Sequence, residues 1–429
     1  MIPRTKVNFG WADLAKALVT REDSRERGDR LRSQLREHLG GGYVELTASG
    51  RGAIYFLLRA LDRPFAVTPA YTCKAVLEAI RFAGKSLVSV PVDPAGFQMD
   101  VAALDAALSE LPHGSATILA THQYGEPCDI HAILAVARRH DALVLEDAAG
   151  ALGARIGGRP VGSFGDAAAF SFDCTKLLHA PLKAGAAWVR DADHHARLAS
   201  LLAAETRPMT LGAKLKTIAQ GGVLRLLENG AVYRVFHWLM FGRGKRFMFD
   251  APGMQREIDA KYSGRCAEWQ ARIVGDQFAR LEEYVAASRC NEAAYRAALA
   301  GCRRFEIPEP DGGGARACVR FPIFIRGDKL RFYRQCAERG VDLAFSFTFL
   351  GDGTVCPRAL ELAERVVNLP FYAKLAPAER ERVVEVLREL ENADGDEDSR
   401  PLDHGPESDA AQGAVFDSRL LECQGRGAR

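Results

Sequence analysis

Lys176 ends the run FSFDCTK (170–176), just after a predicted buried strand of a parallel sheet. Ligand chemistry in α/β proteins lies at the carboxyl ends of such strands. An amine placed there can form an imine with an aldehyde, provided that the site lowers its pKa enough to leave it neutral. A lysine after a strand is more often a solvated side chain, so its neighbours decide between the two interpretations.

Asp147 ends the very apolar strand ALVLE, so its carboxylate is expected at the same edge of the sheet. A carboxylate in contact with a pyridine nitrogen keeps that nitrogen protonated, which lets the ring accept electrons from a carbanion. The alternative is that Asp147 caps the next helix, because aspartate is a favoured N-cap residue.

The segment TASGRGAI (47–54) passes from a strand through Ser49 and Gly50 into a helix. The free N–H groups and the dipole of a helix start suit a phosphate, and the hydroxyl of Ser171 can add to the same site. Glycine in such turns often serves conformation alone, and the string fails the G-x-G-x-x-G dinucleotide pattern. Tyr71, after another short strand, can lay its ring on a flat cofactor, or it can simply be packing.

The elements that must position these residues alternate between short apolar runs and helical patterns, which indicates a largely parallel α/β sheet. Strands are predicted at 43–48, 86–92, 116–121, 142–146, 166–172 and 185–190. Crossover helices are predicted at 50–61, 71–83 and 129–140. The sheet should therefore be covered by helices on both faces.

Four motifs in one block, residues 121–176, occur in a specific order: Y-G-x-P-x-D, E-D-A-A, G-S-F-G-D and F-S-F-x-x-x-K. SGRCAEWQARI (263–273) and AERVVNLPFYAKL (363–375) add matches further along the chain. In these stretches the chain resembles the DegT/DnrJ/StrS family of sugar aminotransferases. The resemblance covers roughly residues 40–200 and 262–391, and it implies the fold type I of transferases dependent on pyridoxal 5′-phosphate (PLP).

The resemblance also implies roles for individual residues. Lys176 would be the catalytic residue that forms the Schiff base, and it would shuttle a proton between the substrate carbon and the cofactor as general base and acid. The residues implied to bind the cofactor are Asp147 at the ring nitrogen, Tyr71 on the ring face, and Gly50, Arg51 and Ser171 at the phosphate. Ser263 and Arg265 would reach into the site of a neighbouring subunit, so the implied assembly is a homodimer with shared active sites.

The implied reaction moves an amino group from an amino acid, by family analogy Glu or Gln, to a keto group on a nucleotide-linked or modified sugar. Two alternatives stay open. One is a sugar dehydratase of the same family, although such relatives typically carry His in place of the lysine. The other is a PLP-binding regulator or membrane-associated protein without turnover.

The chain departs from the family pattern in several places. Gly150 stands where the family usually has Gln, Arg51 replaces Thr and Ser263 replaces Asn. HAPLKAGAAW (179–188) replaces a glycine-rich segment and contains Lys183, a rival for the Schiff base or a substrate contact. His122, at the end of a strand, is either a contact to cofactor or substrate or a structural histidine.

Three regions are predicted: a large PLP-binding domain at 1–262 with an insertion at 204–262, a smaller α+β domain at 263–391, and a disordered acidic tail at 392–429. Within the insertion, residues 232–249 combine aromatic and basic residues, which suits an interfacial helix on an anionic membrane. A lid or a subunit contact with buried aromatics is the favoured alternative.

Composition excludes several classes of protein. Positive and negative side chains number 57 and 55, so nothing suggests a nucleic-acid partner. Ten cysteines are scattered without a C-x-x-C pair, which predicts neither a metal site nor disulfides and favours a reducing cytoplasm. The N-terminus does not resemble a secretory signal and no apolar run is long enough to span a bilayer, so the predicted location is cytoplasmic, or peripheral at the inner membrane face if the insertion binds lipid.

Overall fold

The computed structural model describes residues 1–393 apart from 21–24, 94–95, 242–256, 310–313, 346–347 and 350–355. Nearly all of the predicted acidic tail, from residue 394, lies outside the described residues, as does the second half of the segment 232–249. None of the described helices is both long and apolar enough to cross a membrane.

The helices in chain order are α1 (Trp11–Val19), α2 (Arg25–His38), α3 (Gly50–Leu61), α4 (Lys74–Phe82), α5 (Val101–Ser109), α6 (Ile130–Arg139), α7 (Ala192–Glu205), α8 (Leu211–Leu226), α9 (Gly230–Phe241), α10 (Ala260–Ser263), α11 (Glu268–Phe278), α12 (Leu281–Leu299), α13 (Lys329–Glu338), α14 (Pro357–Arg365) and α15 (Pro377–Ala393). The strands are β1 (Tyr43–Thr47), β2 (Phe65–Pro69), β3 (Tyr71–Thr72), β4 (Ser86–Val90), β5 (Ala116–Thr121), β6 (Leu143–Asp147), β7 (Arg155–Ile156), β8 (Arg159–Pro160), β9 (Ala167–Ser171), β10 (Gly185–Val189), β11 (Phe305–Glu306), β12 (Phe321–Ile325), β13 (Ala344–Phe345), β14 (Thr348–Phe349) and β15 (Val366–Leu369).

A seven-stranded sheet of order β1-β10-β9-β6-β5-β2-β4 forms the centre of the large α/β unit. Strands β4, β2, β5, β6 and β9 are parallel, and at one side β10 runs antiparallel between β9 and β1, so that β1 again has the direction of the parallel strands. Helices pack on both faces, and β5 is buried along its whole length. This confirms the predicted mostly parallel sheet between helices, because strands buried on both faces read as continuous apolar runs.

The register of the sheet places the chemistry-bearing residues side by side. Thr121 at the end of β5 pairs with Asp147 at the end of β6, and Asp147 pairs with Ala169 of β9. His122 directly follows Thr121, and Ser171 ends β9 two residues beyond Ala169. The carboxyl ends of three neighbouring strands therefore deliver these side chains to one edge of the sheet.

Helix α3 lies closely on β9 and β10 because both strands are rich in small residues, AAAFS and GAAWV. Gly185 of β10 contacts the backbone of Ser49. A Cβ at position 185 would overlap the carbonyl group of Ser49. This close approach fixes the start of α3 above the end of the sheet.

A second, antiparallel sheet of order β11-β12-β15-β13 packs against α12, α13 and α15 around its own core. The described α+β unit agrees with the predicted smaller C-terminal part, while its exact boundary at residue 263 stays a prediction. Strand β14 from this part of the chain pairs with β3 of the large unit, beside the end of β2. The two units are thus joined by hydrogen bonds near the sheet edge that carries the candidate site.

The helix predicted at 71–83 needs refinement, because Tyr71 and Thr72 form β3 and α4 begins only at Lys74. Residues 268–299 form two helices, α11 and α12, separated at Ala279 and Arg280. Helix α5, which Asp100 caps by accepting the N–H groups of Ala102 and Ala103, was not predicted. In the insertion, the described residues form α8, α9 and α10.

Candidate active site

A cavity of about 1080 Å³, its open mouth included, lies at the carboxyl ends of β5, β6 and β9. It is lined by residues from both the large α/β unit and the segment that precedes β12. The predicted site residues on its wall are Gly50, Arg51, His122, Asp147, Ser171, Lys176 and Lys183. Three predicted residues, Tyr71, Ser263 and Arg265, do not line it.

Lys176 ends a tight turn that begins directly after β9. Asp173 shapes this turn, because its Oδ1 accepts the N–H of Thr175 at 3.1 Å and the Thr175 hydroxyl at 2.9 Å. Burial lowers the pKa of Lys176, and the positive charge of Arg320 lowers it further. Among the described residues, its Nζ has neither a hydrogen bond nor an ion pair. Lys176 is thus a cavity amine biased toward its neutral, nucleophilic form.

Asp147 is a buried carboxylate on the same cavity wall. Its Oδ1 accepts the N–H of Ala149 at 3.1 Å within a turn, and no helix starts there, so the helix-cap alternative is not what the structure shows. Burial raises the pKa of Asp147, while the Ala149 N–H and the neighbouring Lys176 and His122 oppose that rise. A cationic N–H in the cavity would stabilise the ionised carboxylate, which fits a pyridinium nitrogen.

The start of α3 forms the opposite wall of the cavity. The hydroxyl of Ser49 caps the helix by accepting the Gly52 N–H at 3.1 Å, and a Cβ on Gly50 would lie 2.7 Å from the Cβ of Ser171. The first helical turn and the Ser171 hydroxyl are therefore adjacent, an arrangement that suits a phosphate group. The Arg51 guanidinium points to the buried Glu78, 2.9 Å away, so Arg51 contributes to this wall chiefly through its backbone.

His122 is fully buried and its orientation is fixed from both ring nitrogens. Nδ1 accepts the backbone N–H of Cys128 at 3.1 Å, so Nε2 carries the proton and faces Glu146 Oε2 at 3.1 Å. Of the two interpretations of His122, a structural histidine and a cavity contact, the structure supports both, because the residue also lines the cavity.

Glu146 explains why the E-D-A-A and G-S-F-G-D motifs occur together. Its Oε1 accepts the N–H groups of Phe164 and Gly165 at 2.6 and 2.7 Å, and its Oε2 accepts the Gly162 N–H at 2.8 Å. The loop 162–165 is wrapped around this buried carboxylate, which lies next to Asp147 in sequence. The two motifs therefore form one structural support under the site.

Tyr71 departs from its predicted place on the cavity wall. It is fully buried, its ring stacks on Phe97 at a centroid distance of 6.2 Å, and its hydroxyl lies 2.7 Å from that of Tyr124. Side chains alternate along a strand, and Tyr71 begins the short strand β3, so its ring turns into the core while Thr72 and Cys73 line the cavity.

Ser263 and Arg265 lie outside this chain's cavity. The Ser263 hydroxyl donates to the carbonyl oxygen of Asp259 at 3.2 Å, and Arg265 Nε donates to Thr206 Oγ1 at 2.9 Å. Their assignment to the site of a neighbouring subunit therefore stays a prediction.

The unusual segment 179–188 is held by side chains from α11. Gln277 donates to the carbonyl oxygen of His179 and accepts its N–H, at 2.8 and 3.1 Å. Gln270 donates to the carbonyl oxygens of Pro181 and Lys183, at 3.0 and 2.9 Å. The segment that replaces the glycine-rich sequence is thus held by hydrogen bonds from Gln270 and Gln277. These bonds fix the backbone at Lys183 on the cavity wall.

Arg320, Tyr124, Val319, Thr72 and Cys73 line the cavity and were not predicted. Arg320 precedes β12, about 140 residues beyond Lys176, and its guanidinium donates to the carbonyl oxygen of Phe345 at 3.5 Å. No local motif marks this arginine, so only the packing of the second unit on the first could reveal it. Across residues 1–393 with the gaps given above, no cluster of three or more His, Cys, Asp or Glu side chains could hold a metal ion.

Residues 21–388 match the family model described as the DegT/DnrJ/EryC1/StrS aminotransferase family. The chain is 29% identical over 353 residues to UDP-N-acetyl-3-dehydro-alpha-D-glucosamine 3-aminotransferase of Acidithiobacillus ferrooxidans, covering 80% of this chain and 82% of the relative. It is 42% identical over 112 residues to GDP-perosamine synthase of Caulobacter vibrioides, covering 26% of this chain and 29% of the relative. The crystal structure of S. venezuelae DesV superposes with a TM-score of 0.67 at 22% identity, covering 89% and 93% of the two chains.

Proposed function

The chain belongs to the DegT/DnrJ/EryC1/StrS aminotransferase family, and from that premise we propose that it transfers an amino group from an amino acid to a keto group on a nucleotide-linked sugar. PLP-dependent transamination is the activity of the family. The sugar acceptor is supported by the names of the two relatives given above, which both concern nucleotide-linked amino sugars.

The observation that carries the proposal is the meeting of Lys176, Asp147 and the start of α3 in one cavity. The cavity's donor set fits PLP: an amine for its aldehyde, a buried carboxylate for its ring nitrogen, and a helix start with Ser171 for its phosphate. When bound, PLP supplies a ring that accepts electrons from the substrate carbanion. Asp147 would hold the ring nitrogen and Lys176 the aldehyde carbon.

Lys176 Nζ then has two tasks. Its lowered pKa favours the neutral amine, the form that can take a proton from the substrate carbon and later return it. The short turn set by Asp173 holds the amine at the cavity wall during both half-reactions. His122, fixed by Glu146 and Cys128, adds a rigid face beside the cofactor or the substrate.

Arg320 supplies a cation for the carboxylate of the amino-acid donor, for which Glu or Gln is proposed by family analogy. A guanidinium binds a carboxylate through two parallel N–H donors, which fixes orientation as well as charge. Lys183 on the same wall offers a further cation for substrate.

We also propose a cytoplasmic homodimer with shared active sites. Ser263 and Arg265 lie outside the cavity of their own chain, which is compatible with a contribution to the active site of the partner subunit. The nine cysteines of the described part are all free thiols, as in a reducing compartment. Mixing Lys176→Ala with Arg265→Ala protein tests the sharing: two inactive variants should regain about a quarter of the activity if each site needs both subunits, and no regain contradicts it.

The decisive experiment for the reaction uses PLP-loaded protein. We expect a visible chromophore that borohydride reduces, a label on the peptide with Lys176, and bleaching on addition of Glu or Gln. Lys176→Ala should lose the reducible label and Lys183→Ala should keep it, because the two lysines share the cavity but only Lys176 keeps the motif spacing. A label on Lys183, or no reducible chromophore, would overturn the assignment.

Two family alternatives have their own outcomes in this experiment. Release of water from a sugar without conversion of the amino donor would identify a dehydratase, against which the presence of Lys176 argues. A reducible chromophore that no amino acid bleaches would identify a PLP-binding protein without turnover, the alternative motivated by Gly150 in place of the usual Gln.

A further inference from the structure

Three helices carry almost all of the exposed large hydrophobic side chains of the described chain. The exposed large hydrophobic residues are Trp11, Leu18 and Val19 on α1, Leu211, Leu215, Val223 and Leu226 on α8, Val232, Val235, Trp238, Leu239 and Met240 on α9, and only Tyr43 and Ile258 elsewhere in the described part. We call the outer sides of α1, α8 and α9 the apolar face. A surface helix normally presents polar residues to solvent, whereas these three helices present apolar residues there.

The three helices are adjacent. Helix α1 packs on α8, where Trp11 comes within 3.3 Å of the position that a Cβ on Gly222 would take. Helix α9 follows α8 after only three residues, 227–229. The apolar face is therefore contributed by neighbouring elements, and a patch of this kind marks an interaction surface.

Each helix is anchored on its inner side, so the exposure is not a sign of loose packing. On α9, the Tyr233 hydroxyl donates to Asp342 at 2.5 Å and His237 Nε2 lies 2.9 Å from the Tyr333 hydroxyl. On α8, Ile218 is buried and Lys214 donates to the carbonyl oxygen of Thr20 at 2.5 Å. These contacts leave Val235, Trp238 and Leu239 on the outside, with Trp238 55% exposed.

The exposed charges of the apolar face are positive, and the acidic residue of α1, Asp13, is half-buried and lies 3.9 Å from Arg272. Residues 211–241 contain a single acidic residue, Glu228, which is half-buried, bonded to Arg225 and accepts the Val7 N–H at 2.8 Å. The exposed charged residues of the three helices are Lys16, Lys216 and Arg234. A second copy of the chain docking symmetrically would bring these like charges together, whereas an anionic surface would neutralise them.

We propose that the apolar face binds the surface of a membrane rich in anionic lipids, with α1, α8 and α9 lying in the plane of the interface. Aliphatic and Trp side chains enter the boundary between headgroups and acyl chains, and the basic side chains contact the lipid phosphates. The sequence pattern alone favours a lid or subunit contact with buried aromatics in this region. The exposure of Trp238 and the positive sign of the exposed charges reverse that preference, and the inference is independent of the proposed acceptor substrate.

Flotation with vesicles tests the proposal on the PLP-loaded, full-length protein. We expect binding to vesicles of phosphatidylglycerol with phosphatidylcholine, weak binding to phosphatidylcholine alone, and release by high salt. Val235→Glu with Leu239→Glu should reduce flotation at least about tenfold, because both side chains would have to enter the interface as charges. Ile258→Glu, an equally exposed apolar residue outside the apolar face, is the matched control and should float like the wild type.

Charge and fluorescence provide two further readouts. Lys216→Glu should weaken binding by more than the roughly fivefold expected for the loss of one charge, whereas Arg36→Glu on α2 should not. Trp188 and Trp269 are buried, so a blue shift of tryptophan emission on vesicle addition would come from Trp11 and Trp238 and should shrink in Trp238→Phe. None of these residues lines the catalytic cavity, so aminotransfer in solution should be unchanged.

Two outcomes would overturn the proposal. One is an absence of flotation on any vesicle, or equal flotation of the wild type and the double variant. The other is that the wild type does not bind vesicles and the double variant Val235→Glu with Leu239→Glu has a different native mass from the wild type. That result would assign the apolar face to contact with a second copy of the chain.

Discussion

The Nδ1 of His179 donates to the carbonyl oxygen of Lys176, with 2.9 Å between the two atoms. The other ring nitrogen, Nε2, accepts the backbone N–H of Asn8 at 2.5 Å, so the imidazole is neutral with its proton on Nδ1. The side chain of Asn8 donates to the next carbonyl, that of Leu177, at 2.9 Å. The N-terminal segment thereby holds the backbone of the catalytic lysine through one buried ring.

His179 should make stability depend on pH. Burial lowers its pKa to about 4 in the folded protein, against about 6.5 in an unfolded chain. Between these two pKa values the unfolded chain binds a proton that the native ring does not bind. The free energy of unfolding therefore decreases as the pH is lowered, by up to about 1.4 kcal/mol per pH unit. We expect His179→Gln to be less stable than the wild type at pH 7, with a gap that narrows toward pH 4.

Urea unfolding at several pH values measures this gap. His38, whose pKa burial also lowers to about 4, is present in both proteins and cancels in the comparison. A gap that stays constant from pH 7 to pH 4.5 would show that His179 is not the titrating group.

Arg320 should set both the charge state of Lys176 and the binding of the donor. Removal of its charge in Arg320→Met raises the pKa of Lys176, so the pH range of cofactor uptake by apoprotein should move upward. The KM for the amino-acid donor should rise about 10- to 100-fold, since a charge-assisted hydrogen-bond pair is lost. Arg320→Lys keeps the charge and should retain the pH range of the wild type while losing part of the donor affinity. If only the KM for the acceptor rises, Arg320 binds the acceptor instead.

Gly150 should tolerate a side chain, unlike the nearby Gly162. A Cβ on Gly150 would meet Val319 Cγ2 at 3.4 Å and Lys176 Nζ at 3.9 Å, which are ordinary contacts. Gly162 has a φ of 89° and is packed against the ring of Phe170. We expect Gly150→Ala to change the free energy of unfolding by less than about 1 kcal/mol and Gly162→Ala to lower it by about 3 kcal/mol.

The family glutamine can then be tested at the same position. Gly150→Gln should fill space beside Lys176 and change kcat/KM for the acceptor by about tenfold, with a stability close to that of the wild type. Unchanged kinetics with both acceptor and donor would show that the open space at Gly150 does not contribute to substrate selection.

Glu146 should be a major contributor to stability. Glu146→Gln replaces an oxygen that accepts N–H groups with an amide that donates, which leaves backbone donors of the loop 162–165 unpaired in the core. We expect a loss of about 3 kcal/mol in the free energy of unfolding, measured by urea titration at pH 7.5. Glu283→Gln, on a side chain that is 64% exposed and paired with Arg280, should change it by less than about 0.5 kcal/mol. Equal effects of the two substitutions would contradict the role of Glu146.

The sequence by itself determined the sheet and the core of the site, because both depend on short-range pattern. Apolar runs predicted the ranges of four of the five parallel strands, β4, β5, β6 and β9, but not that of β2. Strand ends predicted that Asp147, Ser171 and Lys176 would meet at one edge. The start of α3 at Gly50 followed from the Ser-Gly turn. These features are encoded by residues close to one another in the chain.

Tertiary structure alone decided the rest. Arg320 enters the cavity from a segment about 140 residues beyond Lys176, and Tyr71 turns into the core because its short strand β3 pairs with β14 from the C-terminal part. The apolar face likewise exists only because α1, α8 and α9 are anchored by their other sides. Such placements depend on which distant surfaces pack together, and local periodicity carries no information about that choice.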